Sequence, residues 1–199
     1  MKIAIVKYNA GNIRSVHNAL LRLGHEATIT DNVDELRTSD KVIFPGVGEA
    51  ATTMECLNST GLADVIRSLR QPVLGICLGM QLMCRHSAEG DVDCLGIFDA
   101  PVLRFAPPEP NPANLKIPHM GWNNLRDVKA PLFDESCNGQ YVYFVHSYYV
   151  PLCQYTAATT DYTIAYSSAL HKDNFFATQF HPEKSGTVGE HILKNFLSL

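Results

Sequence analysis

In the first half of the chain, short apolar runs alternate with segments whose apolar residues recur every three or four positions. The runs predict buried strands, and the wider spacing predicts helices that turn one face towards a core. Predicted strands cover residues 2–8, 25–30, 41–44 and 73–76, and predicted helices cover 13–23, 33–37, 49–57, 62–69 and 78–84. Asn12 is placed to cap the first helix and Gly24 to end it. This alternation predicts an α/β fold in which helices cover both faces of a parallel sheet.

After Gly90 the pattern changes to strands joined by turn-rich segments, which predicts mixed or antiparallel strands added to the parallel sheet. These strands are predicted at residues 101–105, 115–117, 141–150, 156–160, 163–167 and 174–180. The segment 106–114 holds four prolines and predicts an exposed loop. Thr187 and Glu190 have the spacing of a capping box, which predicts a final helix whose inward residues are Val188, Ile192 and Phe196.

The composition fits one globular domain over residues 1–199. Hydrophobic residues make up 46% of the chain and charged residues 18%, which is sufficient for an ordinary core. A net charge of −4 without Lys or Arg clusters argues against nucleic-acid binding, and no apolar run is long enough to suggest a membrane span. The six cysteines form no CxxC pair and no zinc-ligand spacing, so we expect reduced thiols, a cytoplasmic location and no metal. Dinucleotide and phosphate-loop motifs are missing, so no cofactor is expected.

Cys77 lies between two glycines at the point where a predicted strand becomes a predicted helix. Gly75 and Gly79 remove β-carbons that would clash in a tight turn, and such a turn presents a nucleophile. The start of the helix favours a thiolate, and the amide of Leu78 points to where an oxyanion would form. The alternative interpretation is a buried structural cysteine between two packing glycines.

A nucleophilic cysteine needs a base, and one of the eight histidines is placed unusually. His181 and Glu183 are two residues apart at the end of a predicted strand, which puts both side chains on one side. Pro182 between them limits how far they drift apart. Glu183 can then accept from one imidazole nitrogen while the other faces Cys77. Taken alone, the pair also fits a satisfied histidine beside a surface glutamate.

Other polar and glycine-rich positions are candidate site residues only if Cys77 and His181 form a catalytic site. The glycines of segment 45–48 let the backbone approach a ligand, although a plain turn explains them equally well. Gln81 follows Cys77 by about one helical turn and can reach a substrate beside the sulfur. Glu89 matters only for a substrate with an ammonium group. Trp122, the sole tryptophan, indicates a partner surface if it is exposed.

Together, the G-x-C-x-G-x-Q pattern from residue 75 to 81, the His-Pro-Glu tail and the Pro-Gly-Val-Gly turn resemble the class I, triad-type glutamine amidotransferases over essentially the whole chain. The resemblance implies a flavodoxin-like fold, and it implies Cys77 as nucleophile, His181 as base and Glu183 as the orienting group. It implies an oxyanion hole at Leu78, Val47 and Gly48. It also implies contacts to glutamine from Gly46, Gln81, Glu89, Ser147 and Tyr148.

Segments 8–16, 118–123 and 181–185 closely resemble the family of glutaminase subunits of imidazole glycerol phosphate synthase. That family implies a (β/α)8-barrel cyclase partner to which ammonia is passed. The resemblance places four residues near the interface with that partner: Asn12, Trp122, Tyr143 and Lys184. One departure is visible, because the family often has Asp-Tyr-Gly where this chain has Lys7, Tyr8 and Asn9. It concerns the expected interface and leaves the triad untouched.

Three alternative functions remain at this point. The chain could be the glutaminase subunit of another amidotransferase, such as pyridoxal phosphate synthase, although segment 118–123 argues against it. A cysteine peptidase or chaperone on a similar sheet usually has histidine directly after the nucleophile, where this chain has Leu78. A catalytically inactive scaffold is disfavoured because all three triad residues are present.

Overall fold

The structure is a computed structural model that describes residues 1–8, 12–107, 109–110 and 114–199. Within these ranges the strands are β1 (Ile3–Val6), β2 (Ala27–Thr30), β3 (Lys41–Gly46), β4 (Val73–Cys77), β5 (His86–Ser87), β6 (Val92–Asp93), β7 (Pro101–Arg104), β8 (His119–Asn124), β9 (Tyr141–His146), β10 (Tyr148–Tyr149), β11 (Thr156–Asp161), β12 (Ala165–Lys172) and β13 (Phe175–Thr178). The helices are α1 (Ile13–Arg22), α2 (Val33–Thr38), α3 (Ala50–Ser59), α4 (Leu62–Ser68), α5 (Leu78–Leu82) and α6 (Gly186–Ser198). Single 3₁₀ turns lie at Glu135–Cys137 and Pro182–Lys184. Within the same ranges, no helix has the length and apolarity needed to cross a bilayer.

A seven-stranded sheet in the order β11-β12-β13-β4-β3-β1-β2 forms the centre of the molecule. The five strands from β13 to β2 are parallel, and β12 and β11 extend one edge with antiparallel pairing. The other strands form a four-stranded sheet, β10-β7-β5-β6, and the two-stranded ribbon β8-β9. The predicted α/β class, a mostly parallel sheet with antiparallel additions in the second half, is confirmed.

Alternation along the strands places apolar side chains on both faces of the central sheet. Ile5, Ile43 and Leu74 pack on one side with α1 and α6. Val42 and Val73 pack on the other side with α2, α3, α4 and α5. Because both faces are covered, the strands are continuous apolar runs, as parallel strands usually are.

The register of β4 with its neighbours explains where chemistry can occur. β4 pairs in parallel with β3 and β13, and Cys77 is opposite Gly46 while Ile76 is opposite Thr178. The carboxyl ends of these three strands therefore meet at one edge of the sheet, where open α/β sheets bind ligands. Chain segments separated by about a hundred residues are brought together there.

Two predictions for the second half are wrong. Segment 115–117 is not a strand, and the strand nearby is β8, which begins at His119. Its sequence, HMGWNN, contains a glycine and lacks an apolar run, because only one face of the ribbon is buried. The predicted strand over 141–150 is divided into β9 and β10. The predicted loop 106–114 includes residues 108 and 111–113, which lie outside the described residues.

The capping box predicted at Thr187 is also wrong, because α6 begins at Gly186 and its N-cap is Ser185, two residues before Thr187, without a side-chain capping bond. The hydroxyl of Ser185 instead donates to the His181 carbonyl at 2.6 Å and accepts from the Tyr143 amide at 3.0 Å. The side chain therefore ties the start of the helix to β9 and to the segment that carries His181.

Candidate active site

Cys77 occupies the turn between β4 and α5 in a conformation that residues with side chains rarely adopt. Its φ and ψ angles are 55° and −110°, and its side chain is almost fully buried. Such a conformation costs on the order of 1–3 kcal/mol and persists only where the surroundings enforce it. The strained turn predicted from the two flanking glycines is therefore present, and the strain falls on the cysteine.

Gly79 shows why this turn needs glycine. A β-carbon at this position would lie 2.0 Å from the carbonyl oxygen of Phe44 on β3. Helix α5 can therefore pack this closely over the sheet only without a side chain at residue 79. The close approach holds the start of α5, and with it Cys77, at the end of β4.

Replacing Gly79 with alanine should lower the free energy of unfolding by about 3 kcal/mol or more, because α5 must move away from β3. Urea denaturation measures this loss. Gly24→Ala is the matched control, since its β-carbon would meet open space and only its positive φ is penalised, by about 1–2 kcal/mol. Equal stability of the two variants would contradict the role of close packing at Gly79.

His181 and Glu183 form a buried pair beyond the end of β13. The imidazole Nδ1 lies 2.8 Å from Glu183 Oε1, and both side chains are inaccessible to solvent. Because the carboxylate accepts, Nδ1 carries the proton and Nε2 is left for another partner. Nε2 makes no hydrogen bond to the described residues, and Cys77 shares a cavity wall with His181. Strand alternation predicted that His181 and Glu183 lie on one side, but the 3₁₀ turn Pro182–Lys184 is what brings the two side chains together.

The electrostatics of the pair favour a charged imidazole. Burial alone lowers the pKa of His181, but the nearby Cys77 sulfur and then the Glu183 carboxylate outweigh it and raise this pKa to about 10. Burial also tends to raise the pKa of Glu183, but its hydrogen bonds to His181 and Asn12 and the charge of His181 lower it. Both shifts favour an imidazolium–carboxylate pair beside the sulfur.

Asn12 has a contact that the sequence did not predict. It precedes α1 with a φ of 70°, and its side chain makes no capping bond to the helix. Its Nδ2 donates instead to Glu183 Oε1 at 2.5 Å, so that one carboxylate oxygen accepts from both Asn12 and His181. The only sequence signal for this role is the residue type, because asparagine tolerates a positive φ better than most residues do. The partner contact assigned to Asn12 by resemblance stays a prediction.

A cavity of about 270 Å³ opens beside the sulfur. Its lining unites most of the predicted site: Val47, Gly48, Cys77, Leu78, Gln81, Glu89, Ser147, Tyr148 and His181, together with Val145 and His146. Gly48 has a φ of 129°, which only glycine adopts readily. Gly46 is not in this lining; it is buried, and a β-carbon there would lie 2.7 Å from the Tyr8 hydroxyl and 2.8 Å from the Gly79 amide nitrogen. Close packing therefore explains the glycine at position 46.

Two cavity side chains have the character needed to bind an ammonium group. Gln81 Nε2 donates to the Tyr148 carbonyl at 3.1 Å, and no described residue donates to its Oε1. Glu89 is half-buried, and one of its oxygens accepts from the Ala50 amide at 3.0 Å. Burial, and to a smaller extent the charge of Glu49, raises the pKa of Glu89 against the effect of that amide.

A chain of buried polar groups that the sequence did not predict runs behind the cavity. His146 Nδ1 lies 2.7 Å from the Tyr148 carbonyl and Nε2 lies 3.3 Å from the Tyr166 hydroxyl, which lies 3.2 Å from His119 Nδ1. Burial lowers the pKa of His119 to about 4. Burial also lowers the pKa of His146, to about 3, although its bond to the Tyr148 carbonyl opposes the shift. Both imidazoles are therefore neutral near pH 7.

Acid should destabilise the protein through these two imidazoles. The unfolded chain protonates them near pH 6.5, whereas the folded protein resists protonation down to about pH 4 at His119 and about pH 3 at His146. Stability is therefore lost as pH falls below 6.5, by about 1.4 kcal/mol per pH unit for each histidine. Urea denaturation between pH 7 and 4.5 checks the slope. His119→Gln should give a shallower slope, and an unchanged slope would contradict this assignment.

Of the four residues predicted to meet a partner, Trp122 and Lys184 are exposed, and Asn12 and Tyr143 are half-buried. Trp122 on β8 is 55% exposed and meets the ring of Tyr143 on β9 edge-on, with ring centres 6.0 Å apart. Met120 on the same ribbon is also exposed, and so is Lys184 on the 3₁₀ turn. The Tyr143 carbonyl accepts from the His181 backbone amide at 2.9 Å, so the ribbon β8-β9 is hydrogen-bonded to the residue that carries the predicted base. Contact with a partner stays a prediction.

Comparison with known proteins identifies the class first. A solved glutamine amidotransferase is 21% identical with a TM-score of 0.73, over 98% of this chain and 97% of that chain. A glutamine amidotransferase from Thermotoga maritima is 16% identical with a TM-score of 0.65, over 100% of this chain and 83% of that chain. These likenesses show a shared fold. The family model for glutamine amidotransferase class-I matches residues 4–199, so the chain belongs to that family.

Relatives of similar length show to which group within the class I family the chain belongs. The chain is 62% identical over 199 residues to the imidazole glycerol phosphate synthase subunit HisH of Bacteroides thetaiotaomicron, and the match covers 100% of both. It is 46% identical over 200 residues to the subunit HisH of Idiomarina loihiensis, covering 100% of this chain and 98% of the relative. Within the class I family, the chain therefore belongs with the HisH subunits of imidazole glycerol phosphate synthase.

Proposed function

We propose that this chain is the glutaminase subunit of an imidazole glycerol phosphate synthase and hydrolyses L-glutamine to glutamate and ammonia. Cys77 is the nucleophile, His181 transfers protons and Glu183 orients His181. The observation that carries this assignment is that Cys77 and His181 line one cavity while Glu183 pairs with His181 behind it, in a chain that belongs with the HisH subunits.

Glutamine is held by its two α-substituents. Gln81 Oε1 has no donor among the described residues and can accept from the α-ammonium group, which the charge of Glu89 also attracts. The backbone of Ser147 and Tyr148, which also lines the cavity, can hold the α-carboxylate. With both ends fixed, the side-chain carboxamide extends towards Cys77.

The first chemical step joins the sulfur to the carboxamide carbon. An imidazolium at His181, favoured by its raised pKa, is matched by a thiolate at Cys77, which attacks the carbon and leaves an oxyanion. The amide of Leu78 and the backbone of Val47 and Gly48 border the place where this oxyanion forms. Each well-aimed donor of this kind is worth about 3 kcal/mol in the transition state.

His181 then delivers and recovers a proton. Its Nε2–H protonates the leaving nitrogen, and the C–N bond breaks. Ammonia departs, and a glutamyl thioester remains on Cys77. Water gives a proton to the neutral Nε2 and attacks the thioester, the C–S bond breaks, and glutamate departs. Glu183, which accepts from Nδ1 at 2.8 Å, keeps Nε2 aimed at the reacting atoms throughout.

We also propose that the ammonia passes to a (β/α)8-barrel cyclase in a cytoplasmic heterodimer that serves histidine biosynthesis. Free ammonia is mostly ammonium at neutral pH, which is a poor nucleophile, so enclosed transfer protects the product. The exposed Trp122 and Met120 provide an apolar surface, and their ribbon is bonded to His181 through Tyr143. A partner on this ribbon would therefore lie beside the departing ammonia.

Co-purification with the barrel subunit, followed by measurement of glutamate release, tests the function. The chain alone should hydrolyse glutamine slowly, and the partner loaded with its nucleotide ligand should increase the rate severalfold or more. Full turnover by the isolated chain would contradict dependence on the partner. Absence of glutamate release under both conditions would contradict the glutaminase assignment.

A further inference from the structure

Gln179 is a fully buried polar side chain to which the sequence analysis gave no role. It lies between the end of β13 and His181, and its backbone amide donates to the Ser168 carbonyl at 2.9 Å. Its Oε1 lies 3.0 Å from Gln81 Nε2, and its own Nε2 lies 3.8 Å from Cys77 Sγ. Burying an amide requires partners for both ends, and here one of those partners is the nucleophile.

The orientation of this amide follows from its neighbours. The Tyr148 carbonyl can only accept, so the Gln81 atom 3.1 Å away is Nε2, which donates. The same Nε2 faces Gln179, so the facing atom of Gln179 must be its oxygen. The remaining end, the NH₂ group, then points at the sulfur. The Tyr148 carbonyl therefore sets the direction of the Gln179 side-chain N–H bond, through Gln81.

The sulfur has different neighbours for its two protonation states. As a thiol it can donate to the Val145 carbonyl, 3.9 Å away. As a thiolate it can only accept, and Gln179 provides an N–H on that side while His181 forms part of the same cavity wall. A hydrogen bond to a charged acceptor is roughly twice as strong as one between neutral groups, so this donor favours the thiolate.

We propose that Gln179 is a further residue of the catalytic site, whose side-chain N–H stabilises the Cys77 thiolate and is held in that direction by Gln81 and the Tyr148 carbonyl. Its consequence for catalysis rests on the proposed glutaminase function. The reactivity of Cys77 can nevertheless be measured without glutamine.

Alkylation of Cys77 by iodoacetamide between pH 5 and 9, followed by peptide mass spectrometry on the full chain, tests the proposal. Gln179→Met removes the N–H at similar volume and should slow alkylation at pH 7 about 10-fold, moving the pH midpoint up by about one unit. Gln140→Met, at an exposed glutamine, is the matched control, and the half-buried Cys56 is an internal reference. Superimposable profiles for wild type and Gln179→Met would overturn the proposal.

The other titratable groups around the sulfur are the same in both proteins, so they do not account for a shift. They are His181, His146 and Glu89 in the cavity wall, Glu183 behind His181, and Tyr8, whose pKa is raised by burial and then by the charge of Cys77. If the profile shifts in a chain without glutaminase activity, the role of Gln179 stands and the proposed function fails. If an active enzyme shows no shift, only the role of Gln179 fails.

A measurement on the wild-type protein decides the question if Gln179→Met does not fold. With glutamine side chains labelled with ¹⁵N, the Gln179 amide resonance should move with pH in step with the alkylation midpoint of Cys77. A Gln179 resonance that stays fixed across that range would overturn the proposal.

Discussion

Replacing Cys77 with alanine should abolish glutamine-dependent synthesis by the proposed complex with a cyclase, and leave ammonia-dependent synthesis intact. The glutaminase rate should fall by about 10⁴-fold or more, because removal of a nucleophile leaves only binding and oxyanion stabilisation. Ammonia supplied in solution does not need the sulfur, so the partner keeps its own reaction. Paired assays with glutamine and with an ammonium salt measure both rates.

Cys56→Ala provides the control for this experiment, because Cys56 is half-buried on α3 and does not line the cavity. It should retain both activities. Loss of both activities in Cys77→Ala would indicate a scaffold whose presence the partner needs. Retention of glutamine-dependent synthesis would contradict nucleophilic catalysis at this position.

Replacing Glu183 with glutamine should lower the glutaminase rate by about 10³- to 10⁴-fold while the fold is retained. The neutral amide cannot hold Nδ1 protonated as the carboxylate does, so Nε2 loses its fixed role at the leaving nitrogen. The pKa of His181 should also fall from its value of about 10, since the carboxylate is among the groups that raise it. Steady-state kinetics and the imidazole resonances of His181 measure the two effects.

Glu190→Gln is a matched control for this change. Glu190 on α6 pairs with Arg22 near the surface at 3.5 Å, where an ion pair is worth about 0–1 kcal/mol. This variant should keep full activity. A Glu183→Gln enzyme whose His181 titrates as in wild type would contradict the orienting role.

The first half of the fold could be predicted because its signals are local. Apolar runs mark β1 to β4, and the glycines beside Cys77 mark a turn that the structure shows to be strained. The mostly parallel order then requires the ends of neighbouring strands to meet, which brings His181 to Cys77. The resemblance to the class I amidotransferases, drawn from these segments, is confirmed by the full-length family match.

The remaining features depend on tertiary contacts that leave no periodic signal. β8 is stabilised by pairing with β9. The capping box predicted a different start for α6, but the Ser185 hydroxyl at the observed start accepts a hydrogen bond from Tyr143 on β9. Asn12 and Gln179 are single polar residues whose partners are far away in sequence, at Glu183 and Cys77. Their roles become visible only when burial is known and every polar atom must be given a partner.

Covalent labelling with a glutamine analogue that carries a diazoketone in place of the carboxamide tests the central claim most directly. The account predicts that one label attaches to Cys77, that glutamine protects against it, and that glutaminase activity is lost in proportion to labelling. Labelling of a different cysteine in step with inactivation, or activity that persists when Cys77 is fully labelled, would contradict it.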